Sequence, residues 1–332
     1  MKRVLCLCLF LLSACADTKP SIQTIRLAVS VYNQSDTFID SVAQYIKKYT
    51  DSYAEEHSVI VQVDIYDASG SQTTQNKQMD QFMEKGYDGV AINMVDRTAS
   101  ASIIEKAKEK GIPLVFFNRE PVDSDMQLYD KLYYVGCNSV QMGYDQGNMI
   151  YQAYEDNPAS IDTNKDNIIQ YVLIEGEPGH QDATIRSQYC IQPFIDNEVK
   201  IEEVDFATAN WSRSQGQEQM RNFFNHDNHI EVVFCNNDEM AIGAIKTMEE
   251  YNRYIPIVGV DGISDALKEI EKGTLYGTVL NDDKKQGETI AELLICSINN
   301  ESVDEILGGN YRKLLLDGDC IMKDNVKNYL KN

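Results

Sequence analysis

The sequence is poor in basic residues and lacks several motifs, and these shortages exclude whole classes of function. It has 30 Lys and Arg against 52 Asp and Glu, a formal net charge of −22. A chain this acidic repels a phosphate backbone, so nucleic acid is a poor partner. The eight cysteines form no CxxC pair, and their spacing is not typical of a metal site or a disulfide framework. No glycine-rich phosphate loop is present, which argues against a nucleotide cofactor.

Long apolar runs are missing beyond the N-terminus. Residues 1–15, MKRVLCLCLFLLSAC, have a cationic start and a short apolar stretch, which predicts a secretory signal. The small residues before Cys15 resemble the lipobox of bacterial lipoproteins, which implies that Cys15 is lipidated; an ordinary signal peptide cleaved nearby is the alternative. Residues 16–24 would be a tether. We therefore expect an exported protein that touches the membrane only through its lipid and faces the periplasm or the cell exterior.

The remaining chain alternates β-like and α-like segments. Strands separated by helices of 10–18 residues are typical of βαβ units and parallel sheets. Two such blocks predict an α/β fold of two doubly wound lobes. The segments with strand character are 24–32, 58–67, 87–95, 112–118, 167–176, 199–207, 230–238, 255–262 and 276–283.

Polar side chains gather where these strands end. Ligands of doubly wound sheets bind beyond the carboxyl ends of the strands, so these residues are candidates for a binding site. They carry carboxylate, amide, imidazole, guanidinium or aromatic groups. The candidates are Asp36, Phe38, Asn93, His180, Asp182, Arg186, Trp211, Asn237, Asp261 and Asn281.

This set of groups suits a neutral, polyhydroxylated ligand. Each sugar hydroxyl donates one hydrogen bond and accepts up to two, which planar polar groups can match. Phe38 and Trp211, one from each half, could cover the two faces of a pyranose. Other interpretations stay open for single residues: Trp211 could be a core aromatic, Asp36 a helix N-cap, and Asp182 with Arg186 a surface ion pair at i,i+4 spacing.

A second motif, DTNKDNIIQ at 162–170, resembles a calcium-binding loop. Oxygen-bearing side chains alternate along it, as a hard cation requires. Position twelve is Leu173, where an EF-hand has a bidentate glutamate, and the residues after the loop predict a strand in place of the outgoing helix. A solvated acidic turn is the alternative. The alternating side chains belong to Asp162, Asn164, Asp166 and Gln170.

Several segments resemble the periplasmic D-galactose/D-glucose-binding family. They include AINMVDR, VFFNREP, YYVGCNS, EVVFCNNDEMAIGA and, most specifically, GEPGHQDATIR. The resemblance spans nearly the whole chain after the signal and implies a monomer of two lobes, with one hexose in the cleft. All ten candidates above match the family's sugar contacts. It implies lobes of 25–117 with 282–316 and of 118–281 with 317–332, with crossovers near 117–119, 281–283 and 316–320.

The resemblance also supplies the carboxylate that the acidic loop lacks. It implies one structural Ca²⁺ bound by the four loop side chains, the carbonyl of Ile168 and a distant glutamate that matches Glu231. Asn167 stands where the family often has glycine, and asparagine tolerates a positive φ better than most residues.

The family resemblance implies capture and not catalysis: a hinged protein closes on a hexose and delivers it to an ATP-driven (ABC) importer, with chemoreceptor signalling as a second role. A binder of another monosaccharide, such as ribose or xylose, is the alternative. A glycosidase using Asp36 and Asp182 is disfavoured, because Arg186 one turn away is expected to favour the ionised form of Asp182, which is wrong for a general acid.

Overall fold

The computed structural model describes residues 23–226 and 229–330. The predicted signal peptide, the lipidation site at Cys15 and most of the tether lie outside the described residues. Within the described part, no helix is both long enough and apolar enough to cross a bilayer.

The described chain forms strands and helices in strict alternation over most of its length. The strands are β1 Thr24–Val31, β2 Ile60–Asp67, β3 Gly89–Ile92, β4 Leu114–Phe117, β5 Leu132–Cys137, β6 Ile169–Glu175, β7 Ile201–Thr208, β8 Val232–Cys235, β9 Ile257–Asp261, β10 Gly277–Leu280, β11 Lys313–Leu316 and β12 Cys320–Met322. The helices are α1 Thr37–His57, α2 Gln72–Lys85, α3 Ser100–Lys110, α4 Ser139–Asp156, α5 Gln181–Tyr189, α6 Gln192–Asp196, α7 Arg213–Asn225, α8 Asp238–Glu250, α9 Ser264–Lys272 and α10 Asp283–Ile298.

Two six-stranded sheets form the centres of two lobes. The first sheet has the order β11-β5-β4-β3-β1-β2 and the second the order β12-β10-β9-β8-β6-β7. All pairings are parallel except that of β12, which runs antiparallel to β10. Helices cover both faces, so the central strands β3, β4, β5 and β8 are buried along their whole length. The predicted α/β architecture of two doubly wound lobes is confirmed.

The first boundary between the lobes lies about twenty residues later than the sequence predicts. The predicted boundary puts β5 in the second lobe, but β5 pairs with β4 on one side and β11 on the other, inside the first sheet. Its six residues, LYYVGC, are all buried. Burial between β4 and β11 therefore places β5 in the first sheet, even though a long connection separates it from β4. The chain therefore first crosses at Asn138, and α4 packs on α5 and β10 of the second lobe.

Two further crossings lie between β10 and α10 and between β11 and β12. The third is fixed by α4: the Gln141 side-chain amide donates to the Gly318 carbonyl at 3.0 Å and accepts from the Gly318 N–H at 2.8 Å. The backbone N–H of Asn138 donates to Leu316 O at 2.8 Å. The first and third crossings therefore lie side by side at one edge of the cleft.

Candidate functional site between the lobes

A cavity lies between the lobes, beyond the carboxyl ends of both sheets, where doubly wound folds bind ligands. About 360 Å³ of space there, part of it open to solvent, is filled by no atom. Both lobes contribute polar and aromatic side chains. The lining residues are Tyr32, Asp36, Phe38, Ile39, Asn118, Arg119, His180, Asp182, Arg186, Trp211, Asn237, Asp261 and Asn281.

Nine of the ten candidate residues from the sequence line this one cavity. Asn93 does not. It is fully buried, its Oδ1 accepts from Tyr32 N at 3.2 Å, and its Nδ2 donates to Phe117 O and Asn118 Oδ1. Asn93 thus lies behind the cavity wall and holds the cavity residues Tyr32 and Asn118 through these hydrogen bonds.

Asp36 combines the two interpretations that the sequence left open. Its Oδ1 accepts from the backbone N–H groups of Phe38 and Ile39 at 3.0 and 3.1 Å, so it is the N-cap of α1. Its Oδ2 accepts from the Tyr32 hydroxyl at 2.7 Å. The cap fixes the carboxylate at the cavity wall, where an oxygen retains lone pairs for a ligand hydroxyl.

The helix α5 and its N-cap carry three lining residues of the second lobe. His180 is the N-cap, and its Nδ1 accepts from Asp182 N at 3.2 Å. Burial lowers the pKa of His180 well below its usual value, so the ring is neutral and its proton lies on Nε2. Asp182 Oδ1 accepts from the Ser139 hydroxyl at 2.5 Å.

Arg186 is a buried cation of the cavity, at 3% exposure. Its Nη1 donates to Asn236 O at 2.9 Å, and its Nη2 approaches Cys137 Sγ at 3.3 Å. Its Nε has no hydrogen-bond partner among the described residues. An unpaired buried donor is costly, so this N–H is available for a ligand acceptor.

Asp261 lies 3.9 Å from Arg186 Nη1 and accepts from Asn281 Nδ2 at 3.2 Å. Its φ of 128° is unusual for a side-chain-bearing residue and marks local strain. Asp238 holds this turn in place, because its Oδ2 accepts from the N–H groups of Gly262 and Ile263 at 2.7 and 3.1 Å.

Burial dominates the electrostatics of the three cavity carboxyls. It raises the pKa of Asp36, Asp182 and Asp261 above the usual value, although Arg186 lowers those of Asp182 and Asp261. Arg186 thus favours the ionised form of Asp182, as expected, but desolvation outweighs this attraction and raises the pKa of Asp182. A raised pKa is compatible with a general acid, so the pKa of Asp182 does not argue against a glycosidase.

The two predicted aromatic residues lie on opposite lobes of the same cavity. Phe38 belongs to the first turn of α1, and Trp211 to the turn between β7 and α7. Trp211 has a φ of 63° and contacts the His180 ring edge-to-face at a centroid distance of 5.1 Å. The cavity thus has a flat apolar group on each lobe.

Sequence reasoning missed Tyr32, Asn118 and Arg119. Asn118 and Arg119 directly follow β4, so the rule that flagged the ends of other strands would have found them. Tyr32 follows β1 in the same way. Arg119 is 5% exposed, and its guanidinium lies 4.0 Å from the centroid of the Tyr32 ring.

The acidic loop at 162–170 is folded around its own side chains. Glu231 reaches it from the start of β8: Oε1 accepts from the N–H groups of Thr163 and Asn164 at 2.6 and 3.2 Å, and Oε2 from Gln170 N at 3.2 Å. Asn167 has a φ of 63°, the left-handed conformation expected for a residue in place of glycine.

The loop side chains bond to one another. Asp166 Oδ2 accepts from Asn164 Nδ2 and Gln170 Nε2, both at 2.9 Å, and Asp162 accepts from three backbone N–H groups. Among the described residues, no three His, Cys, Asp or Glu side chains converge as a metal site does. The loop instead brings together carboxylates and side-chain amides, and the amide N–H groups of Asn164 and Gln170 donate to Asp166.

The cleft, the two sheets and the three crossings identify the family of the chain. Residues 27–302 match the family model described as "Periplasmic binding protein domain". The chain belongs to the periplasmic binding proteins. A solute-binding protein of an ABC transporter from Bacillus halodurans, crystallised with myo-inositol, has the same fold, with a TM-score of 0.79, 25% identity and coverage of 94% of this chain and 99% of that one.

Curated relatives of this periplasmic binding protein are named for different ligands. The "D-galactose/methyl-galactoside binding periplasmic protein" of Haemophilus influenzae is 36% identical over 81% of this chain and 80% of its own length. A "putative rhizopine-binding protein" of Rhizobium meliloti is 28% identical over 94% of each chain.

Proposed function

We propose that this periplasmic binding protein captures D-galactose or D-glucose in the interlobe cavity. The observation that carries the proposal is the unpaired Nε of the buried Arg186, set among buried carboxylates and amides in a cavity with an aromatic residue on each lobe. A ligand that donates and accepts many hydrogen bonds, and has apolar C–H faces, satisfies these groups. The 36% identity to a galactose-binding relative supports a hexose.

A second candidate is a related monosaccharide or polyol. Relatives of lower identity carry the names ribose import binding protein and xylitol-binding protein, and one structural neighbour holds myo-inositol. These ligands share the hydroxyl chemistry and differ in ring size and in the direction of each hydroxyl. Direct competition between them and the two hexoses therefore distinguishes the two candidates.

We further propose that the closed protein delivers its sugar to an ABC-type importer and that a chemoreceptor reads the same closed surface. Sugar contacts with both lobes favour the closed state, so the partner can distinguish loaded from empty protein by lobe geometry. Lipidation at Cys15 would keep the protein beside its transporter. No catalytic step is required for this role.

Calcium is proposed as a structural ion of the 162–170 loop. Asp162, Asn164, Asp166, Gln170 and Glu231 would supply side-chain oxygens and Ile168 a carbonyl. An ion held there would stabilise the folded second lobe, because the unfolded chain cannot bring Glu231 to the loop.

The direct experiment monitors Trp211 fluorescence in protein lacking residues 1–15 during titration with D-galactose and D-glucose. Ribose, xylitol and myo-inositol are titrated in parallel. Saturable binding at micromolar hexose, with weaker binding of the other three, supports the proposal. If another sugar or polyol binds more tightly, that ligand takes the place of the hexoses in the proposal. Turnover of a chromogenic galactoside would favour the glycosidase hypothesis instead.

A further inference from the structure

An ion pair joins the lobes beside the cavity. Arg119, after β4 of the first lobe, contacts Glu177, after β6 of the second. Nη2 lies 2.5 Å from Oε2, and Nη1 lies 3.3 Å from Oε1. This fork geometry is the strong arrangement for arginine and a carboxylate. The other ion pairs of the described residues stay within one lobe.

The Arg119 side chain is almost buried, at 7% exposure, whereas that of Glu177 is 37% exposed. A second hydrogen bond, from Nη1 to Val95 O at 2.8 Å, fixes the guanidinium on the first lobe. Arg119 is thus held on the first lobe and Glu177 reaches it from the second, so opening of the cleft would separate the two. An interaction formed in only one of two states shifts the population toward that state.

The same guanidinium contacts the cavity through an aromatic ring. It stacks on Tyr32 at 4.0 Å from the ring centroid, and the Tyr32 hydroxyl donates to Asp36 Oδ2 at 2.7 Å. Asp36 lines the cavity. The contacts Glu177–Arg119–Tyr32–Asp36 therefore form an unbroken chain from the second lobe to a carboxylate that faces the ligand.

Another side-chain contact between the lobes lies on the opposite flank of the cleft. The Thr37 hydroxyl donates to Glu239 Oε1 at 3.1 Å. Both residues are solvent-accessible, and Glu239 is also paired with Arg213 inside its own lobe. A single exposed hydrogen bond of this kind contributes little to holding the lobes together. The contact of the buried Arg119 with Glu177 is therefore the stronger of the two.

We propose that the Arg119–Glu177 pair is an interlobe latch, and that Tyr32 couples it to Asp36 so that an occupied cavity holds the latch shut. The coupling to the ligand rests on the proposed sugar-binding function. Arg119 and Tyr32 are thus positioning residues for capture. Their main effect is on how long the closed complex lasts, because the latch must open before the ligand leaves.

The test compares Glu177→Gln with the control Glu250→Gln, which breaks the exposed Arg221–Glu250 pair on the same lobe away from the cleft. Hexose dissociation is measured by stopped-flow Trp211 fluorescence. We expect dissociation about 3- to 10-fold faster in the Glu177 variant, less salt-dependent than in the wild type, and no change in the control. Equal rates in the wild type and the Glu177 variant would overturn the latch.

Small-angle scattering of the ligand-free protein tests the latch separately from sugar binding. Glu177→Gln should raise the radius of gyration toward an open form, even if no hexose binds. An unchanged radius would refute the latch, whereas failure of the wild type to bind hexose would refute only the proposed function. In a Tyr32→Phe background, the effect of Glu177→Gln on dissociation should shrink; an undiminished effect would refute the coupling to Asp36.

Discussion

Gly176 lies directly against the indole of Trp211. A Cβ placed on Gly176 would lie 2.2 Å from Cη2 of the indole, inside any van der Waals contact. Gly176 follows β6 and its N–H donates to Asn236 Oδ1 at 3.1 Å, so its backbone cannot move aside freely. The position of the Trp211 indole at the cavity wall therefore depends on residue 176 having no side chain.

Gly176→Ala should weaken hexose binding by displacing the indole. We expect a loss of about 10- to 100-fold, the effect of misplacing a stacking group, measured by isothermal titration calorimetry. Gly86→Ala is the control. Gly86 has a φ of 68° at the end of α2 with no atom near its Cβ position, so its substitution costs stability without touching the site. Equal affinity in the wild type and the Gly176 variant would contradict this account of Trp211.

Arg186→Met should lower ligand affinity more than the loss of any exposed charge does. It removes the unpaired Nε and leaves Asp261 and Asp182 without their nearest buried cation. We expect an affinity loss of roughly 100-fold, about 2–3 kcal/mol, in calorimetric titration. Arg221→Met, at an exposed pair, is the matched control. A loss equal in both variants would mean that Arg186 makes no contact with the ligand.

The sequence predicted the strands of simple βαβ units, but it placed the first crossing between the lobes too early, before β5. Segments such as 24–32 and 276–283 could be assigned because β1 and β10 are each followed by a helix with clear periodicity. The place of β5 could not, because its pairing with β11 joins distant parts of the chain, Tyr134 with Lys313. β12 has three residues and is defined by one antiparallel partner, so no local pattern specifies it.

The candidate site was predicted better than the fold boundaries, because a single rule governs it. Parallel strands deliver the residues at their carboxyl ends to one edge, so Asp261 and Asn237 could be found from their positions at strand ends. Asn93 shows the limit of that rule. It lies just after β3 as expected, yet its side-chain amide donates to a backbone carbonyl and to Asn118. These contacts depend on the three-dimensional arrangement and cannot be read from the sequence.

Asp238 should make the fold more stable as the pH falls from about 7 to about 4. Burial raises its pKa to about 7, above the value of about 3.9 in an unfolded chain. The folded state then binds the proton more tightly, so the contribution of Asp238 to the free energy of unfolding grows on acidification through this window. Urea unfolding at pH 5.5 and 7.5 tests this, with the non-titrating Asp238→Asn as reference. Parallel pH profiles of the two proteins would contradict the raised pKa.

The cavity carboxyls should give hexose affinity the opposite pH dependence. A ligand hydroxyl that donates to Asp36 or Asp261 requires the ionised form, so binding lowers their raised pKa values. Affinity should therefore fall as the solution is acidified through the pKa values of the ligand-free protein, while the fold persists. Calorimetric titrations between pH 8 and pH 5 measure this change. A flat profile would mean that the ligand does not contact a titrating carboxylate.

Removal of calcium should lower the melting temperature through the 162–170 loop. Glu231 is 2% exposed and accepts hydrogen bonds from three loop N–H groups, so it links the loop to β8 with or without an ion. A bound Ca²⁺ would stabilise the native state in proportion to its occupancy, and EGTA should cost several degrees in differential scanning calorimetry. Asp166→Asn should abolish the EGTA effect, whereas Glu202→Gln, exposed on β7, should keep it. If EGTA leaves the melting temperature of the wild type unchanged, the loop is held by its own hydrogen bonds, and the proposed ion is wrong.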